Sequence, residues 1–277
     1  MKTFLPLIFV LFFLSTFTAS ANLLIYPVRV SFDDKERTAE LTLTNTSQTT
    51  NTYRLGWREN KALPEGGYEA VEKQHATELA IASPMLRFAP RQVTLKPGER
   101  QVIKLALRRP RNLADGEYRS HLLFRALPPA KEAREGQGTS MQINMIMSFA
   151  VPVSVQQGTY NASVAMDSAK IEYHPGKKTG VVKVTMTRQG MHSSSGDLTA
   201  YWTPTGGKER MIAKLADYNF WAELQQATAN LIWANGEFEP GDGTLRIEYK
   251  GVRDFSGNTY LNNTIKVKKS DIQILAQ

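Results

Sequence analysis

Along this 277-residue chain the apolar residues recur at every second position, almost from end to end. Thr38-Ala-Glu-Leu-Thr-Leu-Thr44, Thr52-Tyr-Arg-Leu-Gly-Trp-Arg58, Gln101-Val-Ile-Lys-Leu-Ala-Leu107 and His121-Leu-Leu-Phe-Arg-Ala126 all carry the pattern. Successive side chains of a strand point to opposite faces, so this spacing buries one face of a sheet and wets the other. The runs are short and close on Gly, Pro, Asn or Ser, as at Asn45-Thr-Ser47 and Lys96-Pro-Gly98. Those residues favour turns. Short alternating runs at regular intervals predict an all-β fold of sandwich type.

The first residues form a different pattern. Met1-Lys2 is followed by an apolar run to Phe17 and by Thr18-Ala-Ser-Ala21, the signature of a secretory signal peptide cleaved before Asn22. The run is short for a membrane span and no basic stop follows it, so no membrane anchor is expected after cleavage. Removing residues 1–21 takes away Lys2 and leaves 256 residues with a formal charge of +7. That length suits two domains. The strand pattern restarts after Val153-Ser-Val-Gln-Gln-Gly158, which sets the expected domains at residues 22–155 and 156–277.

The chain has no Cys, so an exported fold must rest on its cores rather than on disulfides. Residues 160–166, 169–173, 180–188, 198–203, 210–215, 228–233, 244–249 and 263–268 are the expected strands of a second, smaller sandwich. Residues 213–232 could be helical on propensity alone. Asn219, Thr228 and Asn230 interrupt any apolar stripe there, and strands are expected.

Nothing in this pattern builds an active site. The four His residues (His75, His121, His174, His192) lack the i, i+4 spacing of a helix-borne metal pair. His121 sits in an apolar run, as a core residue would. Gly190-Met-His-Ser-Ser-Ser-Gly196 contains serines but not the strand-turn-helix setting of a nucleophile elbow, and reads as a hairpin loop. No phosphate-cradling Gly loop, calcium loop or paired-carboxylate signature is present. The basic excess is spread evenly without a nucleic-acid motif, so solvated surface explains it. No enzyme activity, cofactor, metal or nucleic-acid partner is expected.

One stretch stands out from this background. Met141-Gln-Ile-Asn-Met-Ile-Met-Ser-Phe149 places Met141, Ile143, Met145, Met147 and Phe149 on one side of an extended strand. The polar segment of residues 128–140 precedes it. Such a row is either ordinary core or a surface meant for another protein, and a short apolar run does not decide between them.

Several segments together resemble the PapD-like periplasmic pilus-assembly chaperones of chaperone–usher systems, most closely the archaic Csu-like branch. Tyr26-Pro-Val-Arg-Val-Ser-Phe-Asp33 is similar to the family's first strand, and Leu41-Thr-Leu-Thr-Asn-Thr-Ser47 to its second strand and turn. Val93-Thr-Leu-Lys-Pro-Gly98 resembles the family's Pro-Gly turn. Gly116-Glu-Tyr-Arg-Ser-His-Leu122, leading to Leu127-Pro128, resembles the archaic branch, and Gly243-Thr-Leu-Arg-Ile-Glu-Tyr-Lys-Gly251 a late strand of the second domain. The resemblance implies two immunoglobulin-like β-sandwiches set at an angle, with an interdomain cleft. It further implies pilus (fimbrial) subunits and an outer-membrane usher as partners, in the periplasm.

The implied mechanism is donor-strand complementation. A subunit lacking its last strand exposes a groove and two strand edges, and the chaperone supplies a strand to fill them. Met141, Ile143, Met145 and Met147 are the expected donor row, with Met147 and Phe149 nearer the cleft. In the family the subunit's C-terminal carboxylate is gripped by two basic residues, one of which the resemblance places at Arg29. The family's strand-borne Lys falls at Met147 here, and residues 136–155 contain no Lys or Arg. Arg119 is the expected substitute, because Glu117 resembles a family cleft residue; Lys104 is a weaker candidate. The Arg of the family's interdomain ion network falls at Val151, so domain orientation should rest on other contacts. The rival reading is an exported β-sandwich adhesin or carbohydrate-binding module, which would need an exposed aromatic platform drawn from Tyr218, Phe220, Trp221 and Trp233. Those four read as core of the second domain.

Overall fold

The computed structural model describes residues 23–72, 75, 79–128, 147–234 and 238–275. The first sandwich has two facing sheets. One has the order β1 (Leu23–Tyr26), β3 (Thr38–Asn45), β9 (Arg100–Leu107), β7 (Leu86–Ala89). The other runs β2 (Val30–Phe32), β11 (Ser148–Gln157), β10 (Gly116–Ala126), β4 (Asn51–Arg58), β8 (Gln92–Leu95). The alternating rows meet between them: Leu41, Leu43, Ile103 and Leu105 from one sheet pack with Phe32, Leu122, Phe124, Val153 and Val155 from the other. Lys96-Pro97-Gly98-Glu99 turns the chain from β8 in one sheet to β9 in the other, with Glu99 N–H donating to Lys96 O at 3.0 Å. Gly98 adopts φ +74° there, a left-handed conformation that suits Gly.

The first strand changes sheets. Pro27 separates β1, which pairs antiparallel with β3, from β2, which pairs parallel with β11. Pro lacks the N–H a continuous ladder requires. Arg29 therefore sits in the crossing segment rather than within either ladder.

The second sandwich is built from one continuous sheet. It is one eight-stranded sheet of order β18 (Thr259–Val267), β17 (Gly243–Gly251), β14 (Ser194–Pro204), β15 (Arg210–Phe220), β16 (Gln226–Trp233), β13 (Thr179–Gln189), β12 (Ser163–His174), β19 (Gln273–Ile274). Bulges at Met166/Ser168, Gly196/Leu198, Ala200/Tyr201 and Tyr249/Lys250 bend it, as an extra residue on one strand does. The sheet folds over a single core that includes Val182, Val184, Leu198, Trp202, Leu231 and Tyr249, and β12 comes into contact with β18. The bulge also explains why residues 160–166 and 169–173 are not two strands. They belong largely to one strand, β12, with an irregularity in its middle. Residues 213–220 and 226–232 are strand, in β15 and β16, and residues 221–225 turn between them.

The polar Gly-rich excursion after β4 has an unforeseen role. Residues 60–70 form a hairpin of β5 (Asn60–Ala62) and β6 (Tyr68–Ala70) that leaves the first sandwich and docks on the second. Ala62 is buried in the second core. Thr228 N–H donates to Pro64 O at 2.9 Å, and Ala62 N–H donates to Glu223 Oε1 at 3.0 Å. Val151, at the family's interdomain Arg position, is buried in the first core. The hairpin supplies interdomain contacts that an ion network at that position would otherwise provide.

Candidate functional site

Where the sandwiches meet, two guanidinium groups converge on one indole. Arg29, from the crossing between β1 and β2, lies 5.0 Å from the centre of the Trp221 ring and 4.9 Å from that of Phe255. Arg119, from β10, lies 4.0 Å from the Trp221 centre and 5.6 Å from that of Tyr68. A cation over an aromatic face is attracted by the ring quadrupole, and partial burial strengthens the effect. Trp221 Nε1 donates to the Tyr68 hydroxyl at 2.9 Å, so the indole is oriented by the hairpin of the opposite domain.

The two arginines differ in what remains free. Arg119 is buried, paired with Glu223 and bonded to Asn60 O at 3.1 Å; its Nη1 has no partner. Arg29 donates from Nη1 to Asn219 Oδ1 at 2.6 Å, while Nε and Nη2 are buried without partners. Nε and Nη2 form one edge of the guanidinium fork, the edge that fits a carboxylate with two parallel bonds. A cavity of about 350 Å³ opens on the Arg119 side between Asn60, Glu117, Met191 and Glu223. A second, of about 530 Å³, opens on the Arg29 side between Tyr26, Val28, Ser195 and Phe255.

Glu117 faces the seam as well. Its Oε2 accepts from Ser193 N–H at 3.0 Å and from Ser193 Oγ at 2.5 Å, tying β10 to the β13–β14 connection. The Ser-rich segment read as a hairpin loop is instead a largely buried connection between β13 and β14, which are not neighbours in the sheet. His192, Ser193 and Ser194 are each 0% exposed, with Ser193 on Glu117 and His192 Nε2 3.3 Å from Gln157 O of the first sandwich. Arg188 reaches back to Leu224 O, Gly190 O and His192 O, and burial lowers its pKa. No cluster of metal-ligating side chains occurs among the described residues.

Arg29, Arg119 and Glu117 therefore come together at the seam. Lys104 does not join them: it lies exposed on β9, 3.7 Å from Glu40. Sequence reasoning missed Glu223, Tyr68 and Asn219, and treated Trp221 as core alone. Trp221 is indeed buried, as are Phe220 and Trp233, and these rings form no exposed platform. The available signal was Asn219-Phe-Trp-Ala-Glu223, which sets polar ends around two aromatics.

The expected donor strand lies only partly within the described residues. Met141, Ile143 and Met145 fall outside them. Within them, the core-facing row of β11 grades outward: Val155 and Val153 are 0% exposed, Val151 3%, Phe149 intermediate and Met147 43%. On one side β11 pairs with β10 from Ser148 to Gln157, while on the other β2 meets only Val153 to Val155. Among the described residues, no strand pairs with the other edge of residues 148–152.

This sandwich has a counterpart among known sequences. Residues 22–155 match the family model described as "Pili and flagellar-assembly chaperone, PapD N-terminal domain". The first sandwich belongs to this PapD-like family. The family comprises pilus-assembly chaperones and is not enzymatic. Similar solved structures include the class 5 fimbriae chaperone CfaA, at 13% identity over 88% of this chain and 98% of that one, TM-score 0.47. Another is the CsuC–CsuE chaperone–tip adhesion subunit complex of Acinetobacter baumannii, at 13% identity over 92% and 100%, TM-score 0.44. A third is the CupB2 chaperone of Pseudomonas aeruginosa, at 17% identity over 88% and 99%, TM-score 0.43. No curated protein matches the sequence. No helix among the described residues is long and apolar enough to cross a membrane.

Proposed function

We propose that the chain is a periplasmic chaperone that binds, folds and caps pilus subunits by donor-strand complementation and delivers them to an outer-membrane usher. The observation that carries this reading is the graded row on β11. It leaves its own core between Val151 and Met147, where no strand among the described residues pairs with the edge beside it. An open edge offers unpaired main-chain donors and acceptors, and a subunit that lacks a strand needs them. Continued upstream at period two, the same row reaches Met145, Ile143 and Met141. Unbranched Met side chains adapt to pockets of several shapes. Each buried side chain contributes roughly 1.5–3 kcal/mol, so three or four supply on the order of 5–10 kcal/mol before ordering costs.

Period-two pairing slips unless its register is anchored. The anchor in this reading is the free edge of Arg29, which grips the subunit's C-terminal carboxylate beside Trp221, with Arg119 as a secondary contact. Co-expression of a candidate pilin with and without this protein tests the function. A soluble 1:1 complex is the expected outcome. A pilin no more soluble with the protein than without it overturns the reading.

A further inference from the structure

At the end of the five-stranded sheet away from Glu117, the outer face carries a cluster of exposed positive charge. Arg54 on β4 stands directly opposite Arg125 on β10, and Arg58 stands opposite His121. All three arginines are exposed. Like charges directly opposite each other destabilise a sheet. Among the described residues the outward positions carry one acid, Glu117 at the far end of β10, which is buried and held by Ser193; Arg119 and His121 follow it on β10, and the other outward positions are Thr, Gly, Gln, Leu, Ser, Ala and Pro. Arg54 finds only Gln92 Oε1 at 3.5 Å. Between the arginines lies a low floor of Gly56, Leu123 and Ala150; a Cβ built on Gly56 would meet nothing within 4 Å. Burial first, and then the charges of Arg119 and Arg58, favour the neutral form of His121 beside this cluster.

We propose that this face docks an acidic, extended segment of a second partner protein, its carboxylates on Arg54, Arg58 and Arg125 and its backbone over Gly56, Leu123 and Ala150. Charge complementarity selects the occupant, since three cations around an uncharged, shallow floor fit an acidic chain better than an apolar one. The proposal rests on the subunit-binding reading in one respect. A strand added to the edge of β11 extends the sheet in its own plane and leaves the outer face uncovered. A subunit and an acidic segment can then be held at once.

The test uses the full mature chain and a short fluorescent peptide of alternating Glu and Val, followed by anisotropy at low and physiological salt. The triple variant Arg54→Thr, Arg58→Thr, Arg125→Thr should bind the peptide about tenfold more weakly and melt no lower than the parent. A control that removes three charges elsewhere (Lys96→Thr, Arg100→Thr, Lys266→Thr) should stay within about twofold of it by the same reasoning. Equal losses in both variants, or no peptide binding by the parent at low salt, overturn the proposal. Anionic vesicles that displace the peptide overturn it in favour of a membrane surface. Tighter peptide binding by Glu132→Gln, Glu135→Gln overturns it in favour of this chain's own segment. Subunit capture separates the two readings: the triple variant should retain it, and losing it would place the face within the subunit site. Peptide binding without subunit capture by the parent would instead leave this face standing and remove the function above.

Discussion

The guanidinium of Arg119 lies 4.0 Å from the centre of the Trp221 ring, and this contact joins the first sandwich to the second. Arg29 approaches the same ring at 5.0 Å, which sets the two guanidinium carbons within about 9 Å of each other. Only Arg119 has a carboxylate, Glu223, already beside it. In the proposed anchoring role the two cations would therefore be unequal. Arg29 offers two free nitrogens on one edge of its fork, and Arg119 offers one nitrogen on a group that is already paired.

That inequality yields the first prediction. Arg29→Lys keeps the charge but removes the planar fork and its stacking on Trp221 and Phe255. Subunit affinity should fall about tenfold to a hundredfold, the scale of a charge-assisted bond. Arg119→Lys should cost less affinity. Titration calorimetry against a purified subunit reads both; an Arg29→Lys protein that binds like the parent removes Arg29 as the anchor. An Arg119→Ala protein that does so removes Arg119 as its partner.

The second prediction concerns the seam. Glu223 accepts from Ala62 N–H and pairs with Arg119, whose side chain is 7% exposed. Glu223→Ala leaves a buried cation unpaired and an N–H without its acceptor. Breaking a buried pair costs about 3–5 kcal/mol, and the 22% exposure of the Glu223 side chain reduces that. A loss of about 2–3 kcal/mol is expected on that basis. Urea denaturation should show it, and the double variant with Arg119→Met should regain part. A Glu223→Ala protein as stable as the parent would show that the pair does not hold the domains together.

His121 supplies a pH dependence. The ring is 2% exposed, its nitrogens have no partners and its edge meets Tyr68. Burial first, then the charges of Arg119 and Arg58, push its pKa down to about 3. The unfolded chain binds this proton near pH 6.5, so the stabilising term is present above that pH and is lost as pH falls toward 3. Between pH 7 and pH 5 the loss is about 2 kcal/mol. His121→Phe should flatten that slope in denaturant titrations; an unchanged slope assigns the pH sensitivity to other groups.

How much was legible follows from which forces are local. Alternation along Thr38–Asn45 and Arg100–Leu107 reports burial on one face, so the first sandwich could be read residue by residue. The Pro-Gly turn at Gly98 was equally local. Alternation is blind to partners, however. It could not show that eight strands of the second half form one sheet, because its bulges change which residues pair without ending a strand. Nor could it show that residues 60–70 reach the other domain, since Ala62 and Tyr68 look like surface residues until Glu223 and Trp221 stand beside them. At the candidate site Arg29, Arg119 and Glu117 could be named in advance from the resemblance. Their partners across the seam could not, being 76 to 190 residues away in sequence.

The last prediction tests the donor row by its parity. On β11 the residues 149, 151, 153 and 155 face the core, so the same phase carried upstream selects Met147, Met145, Ile143 and Met141. Ile143→Asp would put a charge where the subunit's groove is apolar, and desolvating it without a partner costs several kcal/mol. Subunit capture should be lost. Asn144→Asp makes the same chemical change one position on, where the side chain points to the opposite face, and capture should survive. The paired comparison cancels effects of added charge on expression or solubility. Pull-down of a tagged subunit reads both variants. Equal loss in the two would mean that residues 141–146 do not pair as an extended strand, and equal retention would mean that the row is not what the subunit covers.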